Sequence, residues 1–288
     1  MTVNRDRIGI ISLVVMLVAD VLLIAWIFAR PTGTDQVAPA RQAASPATAS
    51  PSTSEPEARQ PRYLATAVGD TLWRATVAAC TGSPSVVGRS EDGGRTWKKV
   101  DYDGQVVYRL RFTDPAVGFV VGADRGCAET VVRSTGNSGE DWQESPADQT
   151  WGALGAKVLV PGGREVEACG SETVESLATV DEARAYVACG DGRVRRTTSG
   201  GSSWEDVTTA EGVSSLAASG DRLAVASAAD GCDGLAVALA SVEDGELGEA
   251  TCVKGAEGAA VVLDGGTGWL VGDKAWRSED LTSWEPLG

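Results

Sequence analysis

Tyr108, Arg109 and Arg111 are the residues of this chain whose types and spacing come closest to a ligand-holding group. Two arginines flank Leu110 on one stretch of alternating residues, with a tyrosine beside them. They offer two fork-shaped donors and a phenol to a ligand surface. Two arginines on one strand face are also commonly just solvated, so the group stands as a weak candidate.

Other chemistry is bounded by what is missing. The chain has no histidine, so neither a Ser-His-Asp nor a Cys-His nucleophile system can be assembled. No P-loop or dinucleotide fingerprint occurs, because the glycine-rich stretches fall between strands and not at strand-to-helix junctions. Asp101-Tyr102-Asp103-Gly104 hints at a calcium loop but lacks the further spaced oxygen ligands and the closing Glu. The expectation is no catalytic residue, no metal and no cofactor. Residues 61–288 hold 20 basic and 35 acidic residues, a balance that argues against nucleic acid and against an anionic lipid surface.

The elements that must position these residues recur along the chain. Four tryptophans close four copies of one pattern, Arg89 to Trp97, Arg133 to Trp142, Arg196 to Trp204 and Arg277 to Trp284. Each copy runs from Arg to a hydroxyl residue, through a turn rich in Asp, Asn, Ser or Gly, to Trp. A worn copy begins at Val242. Upstream of three copies lies a second phrase, GFVVGAD from Gly118, AYVACGD from Ala185 and GWLVGDK from Gly268. Alternation in Val107-YRLRF sets Tyr108, Leu110 and Phe112 on one face and the two arginines on the other. No stretch beyond residue 30 has convincing helical periodicity. The chain reads as all-β, and a period of about 40 to 50 residues marks a propeller or solenoid.

The pattern resembles the BNR or Asp-box repeat, S/T-x-D-x-G-x-x-W, of sialidases, sortilin-type receptors and photosystem II assembly-factor propellers. Ser90, Asp92, Gly94 and Trp97 match it fully. Thr135, Asn137, Gly139 and Trp142 match with Asn for Asp; Thr197, Ser199, Gly201 and Trp204 match with Ser for Asp. The Ser278, Asp280, Trp284 copy is one residue short and lacks the glycine. The resemblance implies a single β-propeller whose boxes are structural turns on the outer strands, away from the axis. It covers the fold and is silent on function. The Arg-Ile-Pro signature of sialidases is absent, so an exo-glycosidase stands third among the readings.

Residues 61–288 suffice for about five blades, or six if 149–172 forms strands of its own. In propellers of this kind an N-terminal strand usually completes the last blade, so residues 63–79 are expected to pair with the C-terminal repeat. Six cysteines allow fifteen connectivities. Pairing near neighbours in a repeating array gives Cys80–Cys127 between adjacent blades, and Cys169–Cys189 and Cys232–Cys252 closing short loops. Trp73, Trp151, Trp269 and Trp276 lie outside the boxes and either fill the core or offer faces for glycan stacking.

The first 60 residues are separate. Residues 8–29 form an apolar run of 22 residues, about 33 Å as a helix and enough to span a bilayer. It reads as an uncleaved signal anchor behind a short cytoplasmic tail, 1–7. Asp20 lies near mid-span, where a carboxylate is expensive, and is a candidate contact to another transmembrane helix. Residues 30–60 are rich in Pro, Ala, Ser and Thr and cannot bury enough to fold. An even cysteine set without CxxC favours disulfides in an oxidising space. The sequence expectation is a single-pass protein of the cell membrane, N-terminus cytoplasmic and propeller outside. Its composition, alanine-rich with only two Asn, suggests an actinobacterium. The expected role is a non-enzymatic scaffold with an envelope protein as partner, and wall-glycan binding as the runner-up.

Overall fold

The computed structural model describes residues 62–147, 150–242 and 245–288. The expected tail, span and linker, with Asp20, lie outside the described residues. The described chain is six antiparallel meanders. The first blade is β1 (Tyr63–Val68), β2 (Thr71–Thr76), β3 (Val87–Ser90) and β4 (Lys98–Val100). The second is β5 (Val106–Phe112), β6 (Gly118–Ala123), β7 (Thr130–Thr135) and β8 (Gln143–Ser145). The third has three strands, β9 (Gly152–Leu154), β10 (Lys157–Val160) and β11 (Arg164–Val166). The fourth is β12 (Val174–Thr179), β13 (Ala185–Cys189), β14 (Arg193–Thr197) and β15 (Glu205–Thr209). The fifth is β16 (Val213–Ser219), β17 (Arg222–Ser227), β18 (Gly234–Ser241) and β19 (Thr251–Lys254). The sixth is β20 (Ala260–Asp264), β21 (Thr267–Val271), β22 (Ala275–Ser278) and β23 (Glu285–Leu287).

The inner strands β1, β5, β9, β12, β16 and β20 touch in turn, and β20 returns to β1. The molecule is a six-bladed β-propeller. Residues 152–166 supply the third blade, within the 149–172 stretch on which a sixth blade depended, so the count is six where five was the first expectation. The expected strand exchange does not occur. Tyr63–Val68 pairs with Thr71–Thr76 inside its own blade, and the sixth blade is complete from residues 260–287 alone.

Six buried apolar clusters occupy the six seams between blades. Leu72 and Ala67 meet Val262, Trp269 and Ala275 where the last blade adjoins the first. That closing seam also carries a bond from the Tyr63 N–H to the Gly258 carbonyl (2.9 Å) and from the Tyr63 hydroxyl to Asp273 (2.5 Å). The seam between blades two and three is the thinnest, with Val121, Val132 and Leu159 as its buried members. Burial per unit area drives each closure. A short third blade leaves less area to bury there.

The four Trp-closed turns join the third and fourth strands of blades one, two, four and six, and they work as spacers between blades. In the first, the Gly94 N–H donates to Ser90 Oγ (2.8 Å), and the Thr96 N–H donates to Asp92 Oδ1 (2.9 Å). The second repeats this with Gly139 on Thr135 and Asp141 on Asn137, and the third with Gly201 on Thr197 and Ser203 on Ser199. Gly94 has φ +90°, and a Cβ there would stand 2.4 Å from Ala275 Cβ of the preceding blade. The turn that lacks the glycine places Leu281 at φ +63°, with its N–H on Ser278 Oγ (2.8 Å) and the Ser283 N–H on Asp280 (2.7 Å). The arginines that precede these turns are tied down by carboxylates: Arg89 by Glu91, Arg133 by Asp103, Arg196 by Glu205 and Arg277 by Glu279.

The six cysteines form Cys80–Cys127, Cys169–Cys189 and Cys232–Cys252. The second bridge does more than close a short loop. Cys169 follows the last strand of blade three and Cys189 ends the second strand of blade four, so it pins a seam, as Cys80–Cys127 does between blades one and two. Cys232–Cys252 lies within blade five.

Candidate functional site

The channel along the ring axis has a volume of about 490 Å³ and is lined by all six inner strands. Its polar lining originates in a sequence phrase repeated in three of those strands. Val107-Tyr108-Arg109-Leu110, Val174-Glu175-Ser176-Leu177 and Val213-Ser214-Ser215-Leu216 each contain a β-bulge at the second residue. The bulged residue has no cross-strand partner and is turned out of the alternation. Tyr108 therefore does not share a face with Leu110 and Phe112, as plain alternation would have it. The apolar set is Val107, Leu110 and Phe112, and Tyr108 lines the channel, where burial raises its pKa.

The residue after each bulge reaches toward a following blade. Ser176 Oγ accepts the Leu216 N–H of blade five (2.9 Å), and Ser215 Oγ accepts the Val261 N–H of blade six (3.0 Å). In blade two that place belongs to Arg109. Its Nη1 donates to the Trp151 carbonyl (3.0 Å) and its Nη2 to Thr179 Oγ1 of blade four (2.5 Å). Arg111 Nη1 donates to the same Thr179 Oγ1 (2.8 Å). The two guanidiniums thus converge on one hydroxyl over the short third blade. Burial, and secondly the charge of Arg111, lower the Arg109 pKa to about 9, and it remains cationic at neutral pH. Among the described residues neither arginine has a carboxylate within ion-pair distance.

A third arginine closes the other end of the channel, where the inner strands begin. Arg62, in blade one, meets Glu175 of the opposite blade, Nη1 to Oε2, at 2.6 Å. Its Nη2 donates to the Glu175 carbonyl (3.1 Å) and to the Ser214 carbonyl (2.8 Å). Both acceptors belong to bulged residues. One guanidinium therefore satisfies backbone oxygens on two blades.

The remaining sequence candidates fall elsewhere. Ser90, Asp92, Thr135, Asn137, Thr197, Ser199, Ser278 and Asp280 serve the outer turns, far along the blades from the axis. Trp73, Trp151, Trp269 and Trp276 are all buried, at most 5 % exposed, and present no stacking face. Asp103 of the candidate cation loop is held by Arg133 (2.6 Å). Sequence reasoning marked Tyr108, Arg109 and Arg111 but missed Thr179, Arg62 and Glu175. The repeated Val-x-polar-Leu phrase was the signal that could have found Glu175.

No protein-family model matches the chain, and no curated protein does. Among solved structures it is similar to YCF48 bound to D1 peptide, at 16 % identity over 79 % of this chain and 67 % of that one, TM-score 0.33. It is similar to PorZ, a surface component of the type-IX secretion system of Porphyromonas gingivalis, at 12 % identity and TM-score 0.47. That match covers 80 % of this chain and only 33 % of PorZ. The WD40 repeats of RRP9 match at 13 % identity over 72 % of this chain and 71 % of theirs, TM-score 0.47. The likeness is one of fold.

Proposed function

We propose that this protein is a non-enzymatic interaction module of the cell envelope. In this reading the apolar span 8–29 anchors it, residues 30–60 act as a spacer, and the propeller on the outer face of the cytoplasmic membrane binds an envelope protein at the channel. The observation that carries the reading is the convergence of Arg109 and Arg111 on Thr179 inside an open channel. It is a cationic point in a chain of net charge −15, held on rigid strands and suited to recognition. Three disulfides, two of them across seams, support an oxidising location.

The competing readings lose their residues. Wall-glycan binding by aromatic stacking would need exposed tryptophan, and the four outside the turns are core. A sialidase-type hydrolase would need a tyrosine nucleophile activated by a glutamate. The tyrosine that lines the channel is Tyr108, and the glutamate there, Glu175, is engaged by Arg62 (2.6 Å). Tyr63 lies outside the lining and is bonded to Asp273, with its pKa raised to about 12 by burial and then by that bond. Crosslinking and affinity purification of the tagged full-length protein from its own cells tests the proposal. Reproducible recovery of one membrane or secreted protein is the expected result. Enrichment of none above a tagged control would overturn it.

A further inference from the structure

We infer that Arg109, Arg111 and Thr179 form a carboxylate-binding site in the channel, receiving the free carboxylate of a peptide. This rests on the interaction reading above and names the chemistry of the partner. Thr179 Oγ1 accepts from both guanidiniums (2.5 and 2.8 Å). The hydroxyl fixes the two forks side by side, and its own proton is left to donate. Arg109 spends two N–H groups on protein acceptors and Arg111 one. Each guanidinium carries five, so several remain for a planar, two-oxygen acceptor. Paired N–H donors matched to two oxygens are the geometry by which arginine recognises carboxylates.

Charge decides between one negative charge and several. The ionisable side chains that face this space are Arg109 and Arg111, with Tyr108, Glu175 and Asp264 also in the lining. Arg62 reaches in from the end of the channel and is matched by Glu175. Asp264 accepts the Gly69 N–H (2.7 Å). Two free arginines against Asp264 leave one uncompensated positive charge. A single carboxylate neutralises it, whereas a phosphate dianion would leave one uncompensated negative charge in a chain whose net charge is already −15. Approach is from the face where the inner strands end, because Arg62 spans the other.

The test uses the full 288-residue chain in mild detergent and three probes: ¹³C-acetate, a short peptide with a free C-terminal carboxylate, and the same peptide as its amide. The expected results are saturable broadening of the acetate signal, and peptide binding at least about tenfold tighter for the acid than for the amide, as loss of a charge-assisted pair requires. Arg111→Gln should weaken both acetate and acid peptide about tenfold or more. Arg111 makes a single bond to protein, so this variant should keep the wild-type circular dichroism and melting temperature without ligand. Arg109→Lys keeps the charge but loses the fork and should weaken binding in the same direction. Acetate broadening or acid-peptide binding that is equal in wild type and Arg111→Gln would overturn the site, as would no binding at all. Inorganic phosphate binding tighter than acetate would overturn the choice of ligand. A partner recovered equally well by crosslinking to wild type and to Arg111→Gln would leave the interaction role standing and remove this site from it.

Discussion

The Trp73 ring lies flat on the Phe112 ring, centroids 3.7 Å apart and planes 8° apart. The pair straddles the seam between blades one and two. Trp73 comes from the second strand of its blade and Phe112 from the end of the next inner strand, so the stack couples two blades directly. Phe112→Ala should destabilise the protein by about 3–5 kcal/mol, the usual cost of removing a buried aromatic. Denaturant unfolding with an unchanged slope is the check; a loss under about 1 kcal/mol would contradict a packed seam.

Gly94→Ala should cost more than Gly69→Ala. Both glycines have positive φ, +90° and +58°, so both substitutions strain the backbone. Only at Gly94 does the new Cβ also meet another blade, 2.4 Å from Ala275, while nothing lies within 4 Å at Gly69. About 1 kcal/mol is expected at Gly69 and about 2–4 kcal/mol at Gly94. Equal losses in thermal or urea unfolding would mean that the turn is not a spacer.

Acid should loosen the first turn before the second and third. Hydrogen bonds from the Thr96 hydroxyl and N–H, then from Ser90, lower the Asp92 pKa to about 2. A depressed folded value means that the carboxylate stabilises the fold above its unfolded pKa of about 3.9 and stops doing so as pH falls through about 2. Asp280 is lowered in the same direction by the Ser283 and Thr282 N–H groups, whereas Asn137 and Ser199 do not titrate in this range. Melting temperature followed from pH 6 to pH 2 should show the gap between wild type and Asp92→Asn closing toward the acid end. A gap independent of pH would refute the assignment.

Hydrogen exchange should be fastest in the third blade. It has three strands and adjoins the thinnest seam, and local opening follows sparse apolar burial. Amides of Lys157–Val160 should exchange faster than those of Ala185–Cys189: both strands are paired on each side, but only the first adjoins the thinnest seam. The opposite order would show that Arg109, bonded to the Trp151 carbonyl, compensates for the missing strand.

Cys80→Ser with Cys127→Ser should weaken the fold more than the Cys232, Cys252 double replacement. The first bridge closes 47 residues and crosses a seam; the second closes 20 within one blade. Loop-closure entropy alone separates them by less than about 1 kcal/mol, so a larger gap in chemical denaturation would measure the seam itself.

The outer architecture is visible in the sequence because tight turns demand particular residues. Ser90, Asp92 and Gly94 can each be assigned a hydrogen bond or a positive φ before any coordinates, and the same residues recur in the later copies. The third blade was harder to see. It carries no Trp-closed turn, and its strands are three to four residues long, too short for alternation to register. The channel was only half visible. Arg109 and Arg111 stand out by type, but Thr179 is 70 and 68 residues away from them, a proximity that only ring closure creates. Tyr108 was placed on the wrong face because a bulge resets alternation, and one residue is enough to do so.

The first strand stays at home in its own blade. Among the described residues each blade is then one consecutive stretch of chain, and no sheet borrows a strand from the other end of the sequence. A gene coding such a ring can gain or lose a blade by copying or deleting a single continuous stretch, with every hydrogen-bonded ladder elsewhere left whole. The cost of such an event falls on the two new seams and on the curvature. The three-stranded third blade shows that the ring closes around an undersized cassette, with Arg109 of the neighbouring one reaching across it to Trp151 and Thr179.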